Sequence, residues 1–352
     1  MRVALVGCGN VAERYARSIL AAEPLELAGA TDVEPDRVGA LVRETGGTAY
    51  PSLEAVLADG AVDTVVNLTP ARMHAEVTAR ALEAGKHVHT EKPLALRHEE
   101  ARELVDLAAA RGVRLSCAPA SLLGEAQQTA WKLVREGAVG RVRAVYAEAN
   151  WGRIESWHPA PGTLHAVGPA VDVGVYPLTI LTGIFGPARQ VTAYAAALEP
   201  DRTTLTGTPF RLERPDFVVA ALELGDGVVV RLTASFYVGP SKQRGIEFHG
   251  DRGSLHLVTW DVFDARLELQ ERGREYVPVP LVRPPFAGVD WARALVDLVE
   301  TLEHGRPHRA SAEHGAHVVE VLDAIAASAA EGGCPVAVTS DFERPAPMDW
   351  AR

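Results

Sequence analysis

Two α/β domains, the first on a parallel sheet and the second on a largely antiparallel one, are what this sequence predicts. Three observations carry that prediction. The 352 residues exceed the usual size of a single domain. Residues 1–120 alternate apolar β runs with amphipathic helical patterns, as βαβ units do. From Gln190 to about Val277 most apolar runs alternate with a period of two, broken by Gly-Asp-Gly and Gly-Asp-Arg-Gly turns that read as hairpins. The division therefore falls near residue 120, with domains at 1–120 and 121–352.

In chain order, the first half offers strands at Val3–Gly7, Leu25–Asp32, Val62–Leu68, Lys86–Thr90 and Val113–Cys117. Helical patterns lie between them at Asn10–Ala22, Ala71–Gly85 and Arg97–Gly112, the last two ending in a glycine of the kind that closes a helix. Beyond Cys117 come a helix at Glu125–Gly137, a long strand at Arg141–Trp151, a loop rich in Trp, His, Pro and Gly from Gly152 to Pro169, and a short apolar helix at Ala170–Gly186. The alternating runs are Val191–Glu199, Phe217–Val238 and Arg244–Val258; two helices, Asp290–Gly305 and Ala312–Gly333, and a short strand, Pro335–Val338, complete the chain.

Composition narrows the function. Hydrophobic residues at 47% and charged residues at 23% describe a globular chain. A net charge of -11 with no Lys/Arg block argues against a nucleic-acid partner, because binding to phosphate backbones needs clustered cations. No apolar stretch reaches the ~18 residues of a membrane span, and the opening run is too short for a signal peptide. Cys8, Cys117 and Cys334 are far apart and lack metal or redox spacing, which predicts reduced thiols, a cytoplasmic setting and no metal.

The stretch Val3–Ala16 is a strand running into Gly7-x-Gly9-x-x-Ala12 and then a helix, with Asp32 ending the next strand. Gly7 allows the tight turn, Gly9 lets the backbone approach a pyrophosphate, and Ala12 keeps helix and sheet close. Backbone N–H groups near Asn10 and Val11 would bind that anion. Asp32 suits the ribose hydroxyls of NAD and repels a 2′-phosphate. Arg37 nearby complicates the preference, so NADP stays open; a strand-end aspartate capping the helix that starts near Pro35 is the plainer alternative for Asp32.

The next motif is long. After an apolar strand, Thr69-Pro70, His74, Gly85-Lys86-His87-Val88 and Glu91-Lys92-Pro93 fall at spacings that resemble the Gfo/Idh/MocA oxidoreductases, the family of glucose-fructose oxidoreductase and inositol dehydrogenase. Similar stretches recur at Lys132–Val142, Asp172–Leu178 and Ile246–Leu257. The resemblance implies a Rossmann domain followed by an α/β domain with an open, mostly antiparallel sheet. It also implies hydride transfer between a nicotinamide and a ring hydroxyl or ketone of a sugar, cyclitol or related polyol. By the same likeness Lys92 faces the reacting carbon and the bond before Pro93 is cis; Thr69, Pro70 and His74 are candidates for contact with the cofactor, and Glu91 for fixing the nicotinamide ribose or the turn rather than acting as a base.

Chemistry supports the lysine independently. Oxidising a secondary alcohol needs a base while hydride leaves the same carbon, and the carboxyl end of a strand is where such sheets bind ligands. Partial burial and a nicotinamide cation would both disfavour an ammonium. A phosphate clamp, a ribose contact or a surface lysine are the alternatives for Lys92, as a satisfied helix histidine is for His74. Asp172 and Tyr176 stand four apart and share a helical face; the resemblance makes Tyr176 a partner of Lys92 in proton transfer and Asp172 the group that orients the hydroxyl. Trp151, Arg153, Trp157, His158 and His165 suit a sugar face and its hydroxyls, or else anchor their loop. His304, His308, His314 and His317 read as a solvated face. An uncovered sheet face predicts a homodimer or homotetramer. A dehydrogenase or reductase is the leading expectation; an enzyme that holds and recycles its NAD, or an NAD-binding regulator without catalysis, are the other two.

Overall fold

The computed structural model describes residues 1–158 and 160–352 and divides into two units. The first comprises Met1–Ala120 and Asp290–Val319, the second Ser121–Val289 and Glu320–Arg352. Residues 290–319, expected in the second domain, therefore belong with the first. Apolar burial is the reason. Leu295 and Val299 of the helix Arg293–His304 join Ala12, Tyr15, Ala16 and Ile19 in one core. Ala312, Ala316 and Val319 join Leu94, Leu104 and Ala108 in another.

The first unit carries strands β1 (Arg2–Val6), β2 (Glu26–Thr31), β3 (Thr48–Ala49), β4 (Thr64–Asn67), β5 (His87–Thr90) and β6 (Leu115–Cys117). Its helices are α1 (Ala12–Ala21), α2 (Pro35–Thr45), α3 (Leu53–Ala58), α4 (His74–Glu83) and α5 (His98–Arg111). All pairings are parallel, in the order β3-β2-β1-β4-β5-β6. Successive β1 residues divide between the two cores, Val3 and Leu5 on one face and Ala4 and Val6 on the other. Both faces are thus covered, as a parallel sheet requires. The strand order reverses between β1 and β4, which opens a crevice at their carboxyl ends.

The second unit is built on β7 (Val142–Asn150), β8 (Ala188–Ala196), β11 (Phe217–Leu224), β12 (Val229–Ser235), β13 (Gly245–Gly250), β14 (Gly253–Leu257), β15 (Leu267–Glu271), β16 (Val277–Val279) and β17 (Val336–Ala337). Their order is β16-β15-β14-β13-β7-β12-β11-β8-β17, and only β7 and β12 pair in parallel. Both expected hairpins are present, β11 with β12 and β13 with β14. A separate two-stranded ribbon, β9 (Asp201–Thr203) with β10 (Pro209–Arg211), is too short to leave an alternating signature. Helices α6 (Glu125–Arg135), α7 (Gly162–Val167) and α8 (Val175–Phe185) complete the elements that matter below. The apolar stretch Ala170–Gly186 is not one α-helix: a π-helical turn, Ala170–Gly174, precedes α8. No helix of the described residues is long and apolar enough to cross a membrane.

Candidate functional site

At the end of β1 the two glycines do different work. Gly7 has φ +103°, and a Cβ there would stand 2.8 Å from the carbonyl carbon and oxygen of Leu68. Only glycine fits, because β4 runs alongside. Gly9 is the reverse case: beyond its two chain neighbours, a Cβ there would meet no atom within 4 Å, and its φ is not positive. Neither packing nor backbone asks for glycine at 9. The open space in front of it, at the start of α1 beside Asn10 and Val11, is what a pyrophosphate would fill, so these residues fit a dinucleotide.

Asp32 closes the same turn. Its carboxylate accepts hydrogen bonds from the Cys8 N–H (2.6 Å) and the Glu34 N–H (2.9 Å), so it both ties β2 to the glycine turn and closes the turn that leads into α2. Arg37 is exposed in the first turn of that helix. Burial, reinforced by the Asp32 charge, raises the Cys8 thiol to about 11, which keeps it neutral.

Next along the carboxyl edge, Asn67 ends β4 and organises the turn after it. Its side-chain oxygen accepts from the Thr69 hydroxyl (2.6 Å) and N–H (3.2 Å), while its amide donates to the His74 carbonyl and the Thr78 hydroxyl, both at 3.1 Å. Pro70 then leads into a short 3₁₀ turn ahead of α4. His74 is buried, with Nδ1 at 2.7 Å from the Pro93 carbonyl and Nε2 at 2.8 Å from the Thr69 carbonyl. Burial holds its pKa below the ordinary histidine value. Both ring nitrogens face backbone carbonyls and a neutral ring can donate to only one of them, so the His74 ring lies wedged between the Thr69-Pro70 turn and the Lys92-Pro93 turn.

Glu91-Lys92-Pro93 leaves the end of β5. The Glu91 N–H donates to the Asn67 carbonyl at 2.9 Å, which extends the pairing of β5 with β4 by one residue. The Glu91 carboxylate accepts from the Lys92 N–H (3.1 Å) and the Tyr15 hydroxyl (2.8 Å). The Lys92–Pro93 bond is cis. Pro93 and Leu94 are buried and Lys92 is half-buried, so a fixed backbone carries the lysine stem.

In the second unit, Asp172 is buried in the π-helical turn and Tyr176, in the first turn of α8, is half-buried. Tyr176 starts a line of rings. It lies 4.9 Å from Trp260, which stacks on Trp151 (6.5 Å, 22° between planes). Trp151 meets Trp157 edge-on at 5.6 Å, and Trp157 meets His158 at 5.6 Å. Trp157, 48% exposed, is the open end; Trp260 is buried and fixed by its indole N–H on the Glu148 carbonyl at 2.9 Å. The other two loop residues have partners of their own. Arg153 pairs with Glu199 and lies over Tyr237, while His165 Nε2 faces Glu155 at 3.3 Å. Glu155 in turn pairs with the buried Arg202, which also pairs with Asp216. These contacts anchor the loop. Pro159, within it, lies outside the described residues.

Sequence reasoning missed Asn67, Tyr15, His89 and Trp260; the only hint was a polar or aromatic residue in an otherwise buried segment. It also misjudged three histidines. His314 and His317 are buried rather than solvated, because their helix packs with the first unit, and the His308 side chain is buried beside Asp297. A cavity of about 410 Å³ opens elsewhere, among Met1, Asp63, Lys86, His87 and Leu302 at the opposite edge of the parallel sheet, away from this chemistry. Among the described residues no group of three His, Cys, Asp or Glu side chains could hold a metal ion.

Comparisons with known proteins agree with this layout. Residues 1–118 match the family described as "Oxidoreductase family, NAD-binding Rossmann fold", and residues 127–256 match its "GFO/IDH/MocA C-terminal domain". A dTDP-3,4-didehydro-2,6-dideoxy-alpha-D-glucose 3-reductase of Streptomyces violaceoruber is 31% identical over 267 residues, 73% of this chain and 72% of that protein. A UDP-N-acetylglucosamine 3-dehydrogenase of Acidithiobacillus ferrooxidans is 27% identical over 284 residues, 80% of this chain and 81% of that one. Among solved structures, the WlbA dehydrogenase from Bordetella pertussis, in complex with NADH and UDP-GlcNAcA, superposes with a TM-score of 0.80 at 23% identity, covering 97% of this chain and 98% of its own.

Proposed function

The chain belongs to the Gfo/Idh/MocA oxidoreductase family, and on that premise we propose that it moves hydride between NAD and a ring carbinol of a pyranose sugar, at the third ring carbon. It is an NAD-binding oxidoreductase; the sugar class and the carbon are the proposal. Position 3 is supported by the names of the reductase and the dehydrogenase above, both of which act there.

The observation that carries the reading is Lys92, half-buried next to the buried Pro93 with its N–H held by the Glu91 carboxylate, at the edge of the sheet that bears the glycine turn. NAD, when bound, supplies the hydride acceptor or donor. Gly7, Gly9, Asn10 and Val11 would hold its pyrophosphate, Asp32 and Arg37 the adenosine ribose, and Thr69, Pro70 and Glu91 the nicotinamide end. The Lys92 amine takes the hydroxyl proton in oxidation and returns it in reduction. Tyr176 as a second proton carrier and Asp172 as the hydroxyl's orienting partner are proposed with it. Trp151, Trp157 and His158 offer faces for the sugar ring, and Arg153 and His165 keep their loop in place.

The test is a panel of UDP-N-acetylglucosamine, dTDP-glucose, methyl glucopyranosides, myo-inositol and their keto forms with NAD(H) and NADP(H), read by the absorbance of reduced nicotinamide. Turnover of a pyranoside with loss of deuterium from its third carbon is expected. Turnover of cyclitols alone, or deuterium loss from another carbon, refutes it. Cofactor that co-purifies and yields no net NADH would mark a recycling enzyme instead. A homodimer or homotetramer formed through the outer sheet face, where Tyr146 and Tyr194 are exposed, and a cytoplasmic setting belong to the same proposal; light scattering tests the first.

A further inference from the structure

We infer that Tyr15 is a positioning residue for the Glu91-Lys92-Pro93 turn, held to that task by a buried chain of donors through His89 and Ser116. The inference rests on the reading of Lys92 given above.

Tyr15 lies in α1, the helix that begins at the glycine turn, and is buried. Its hydroxyl donates to Glu91 Oε1 at 2.8 Å and stands 3.2 Å from His89 Nε2. A carboxylate can only accept, and a phenol has one hydrogen. That hydrogen goes to Glu91, so His89 Nε2 must be the donor to the Tyr15 oxygen. His89 is wholly buried and desolvation lowers its pKa to about 3, which makes it a neutral ring with a single N–H. Its Nδ1 is therefore an acceptor, and the Ser116 hydroxyl, 2.8 Å away, donates to it.

Every donor thus points the same way, from Ser116 on β6, through His89 on β5 and Tyr15 on α1, to Glu91, whose other oxygen accepts from the Lys92 N–H at 3.1 Å. Such a chain is cooperative, and its members are costly to leave unpaired in the interior. The ring of Tyr15 is also set by edge contact with Trp291 at 5.3 Å. Phenylalanine would fill the same space, so packing does not explain the hydroxyl. What the hydroxyl does is fix a carboxylate, and through it the amide of Lys92, against the helix that starts at the dinucleotide turn.

The test compares Tyr15→Phe, His89→Gln, His89→Leu and Lys92→Ala in the full chain. In ¹⁵N-imidazole spectra, with and without NADH, His89 should be a neutral Nε2–H ring from pH 5 to 8, its Nε2–H signal moving in Tyr15→Phe. An Nδ1–H or charged ring overturns the inference. With NAD and whichever pyranoside of the panel turns over, Tyr15→Phe should lose roughly 10- to 100-fold in kcat, the scale of a small misplacement. KM and the NADH Kd should stay within about threefold, and the primary deuterium isotope effect should rise. His89→Gln, which keeps an N–H at the reach of Nε2, should restore most of the rate that His89→Leu loses. A general loss of kcat, NADH affinity and Tm with an unchanged isotope effect would mean a merely structural tyrosine and overturn the inference. Near-normal kcat in Tyr15→Phe while Lys92→Ala is inactive overturns it and leaves Lys92 standing; near-normal turnover in Lys92→Ala removes the reading beneath it.

Discussion

Replacing Gly9 and Gly7 by alanine, one at a time, should separate cofactor binding from folding. At Gly9 the added methyl meets nothing within 4 Å beyond its two chain neighbours, so stability should change by no more than about 0.5 kcal/mol, as for an unhindered surface substitution. The same methyl would occupy the space of a phosphate. Displacing that phosphate from one backbone N–H forfeits a charge-assisted hydrogen bond of about 1.5–3 kcal/mol, or roughly a 10- to 150-fold higher Kd for NADH. At Gly7 the methyl would lie 2.8 Å from the Leu68 carbonyl on a backbone with φ +103°. Strain and overpacking each cost about 1–3 kcal/mol, so Tm should fall by roughly 5–20 °C. Thermal melts without cofactor and a fluorescence titration with NADH measure both. If Gly9→Ala melts as early as Gly7→Ala, or binds NADH like the parent, the assignment of that empty space to a pyrophosphate fails.

Lys92→Ala should keep NADH binding and lose roughly 10²- to 10⁴-fold in turnover, the usual worth of a positioned acid or base, measured by steady-state kinetics. Asp32→Ala should narrow the preference for NAD over NADP by removing the charge that repels a 2′-phosphate; unchanged relative kcat/KM values would count against the ribose role. Acid should destabilise the first unit. His89 and His314 are held at about 3 by burial, far below the ordinary histidine value, so the unfolded chain binds more protons and stability rises with pH between about 3 and 6.5. From pH 7.5 to 5 that linkage removes about 2 kcal/mol for each of the two. Urea titrations at both pH values check it, and a flat or inverted dependence refutes it.

The parallel sheet, the glycine turn and the Glu91-Lys92-Pro93 turn were legible because each is written in a short, contiguous stretch. Distant partners were not. Tyr15 finds Glu91 across 76 positions and His89 across 74, and no local spacing announces either pairing. Trp260 joins the aromatic line only through the fold of the second sheet. His314 and His317 follow an ordinary amphipathic pattern whose buried side depends on which unit the helix joins. The two-residue β3 and the three-residue strands β9 and β10 are simply shorter than the windows in which periodicity can be counted.

The return of residues 290–319 to the first unit also governs how the chain is made. At roughly 5–20 residues per second, a ribosome that has finished Ala120 needs about 10–40 s more to reach Val319. Throughout that interval Ile19 and Leu104 wait for Leu295, Val299 and Val319, apolar partners not yet synthesised. The nucleotide-binding unit is begun before the second unit but is completed only after residues 121–289 have been made, so a nascent chain caught between those two points carries apolar surface without its partners.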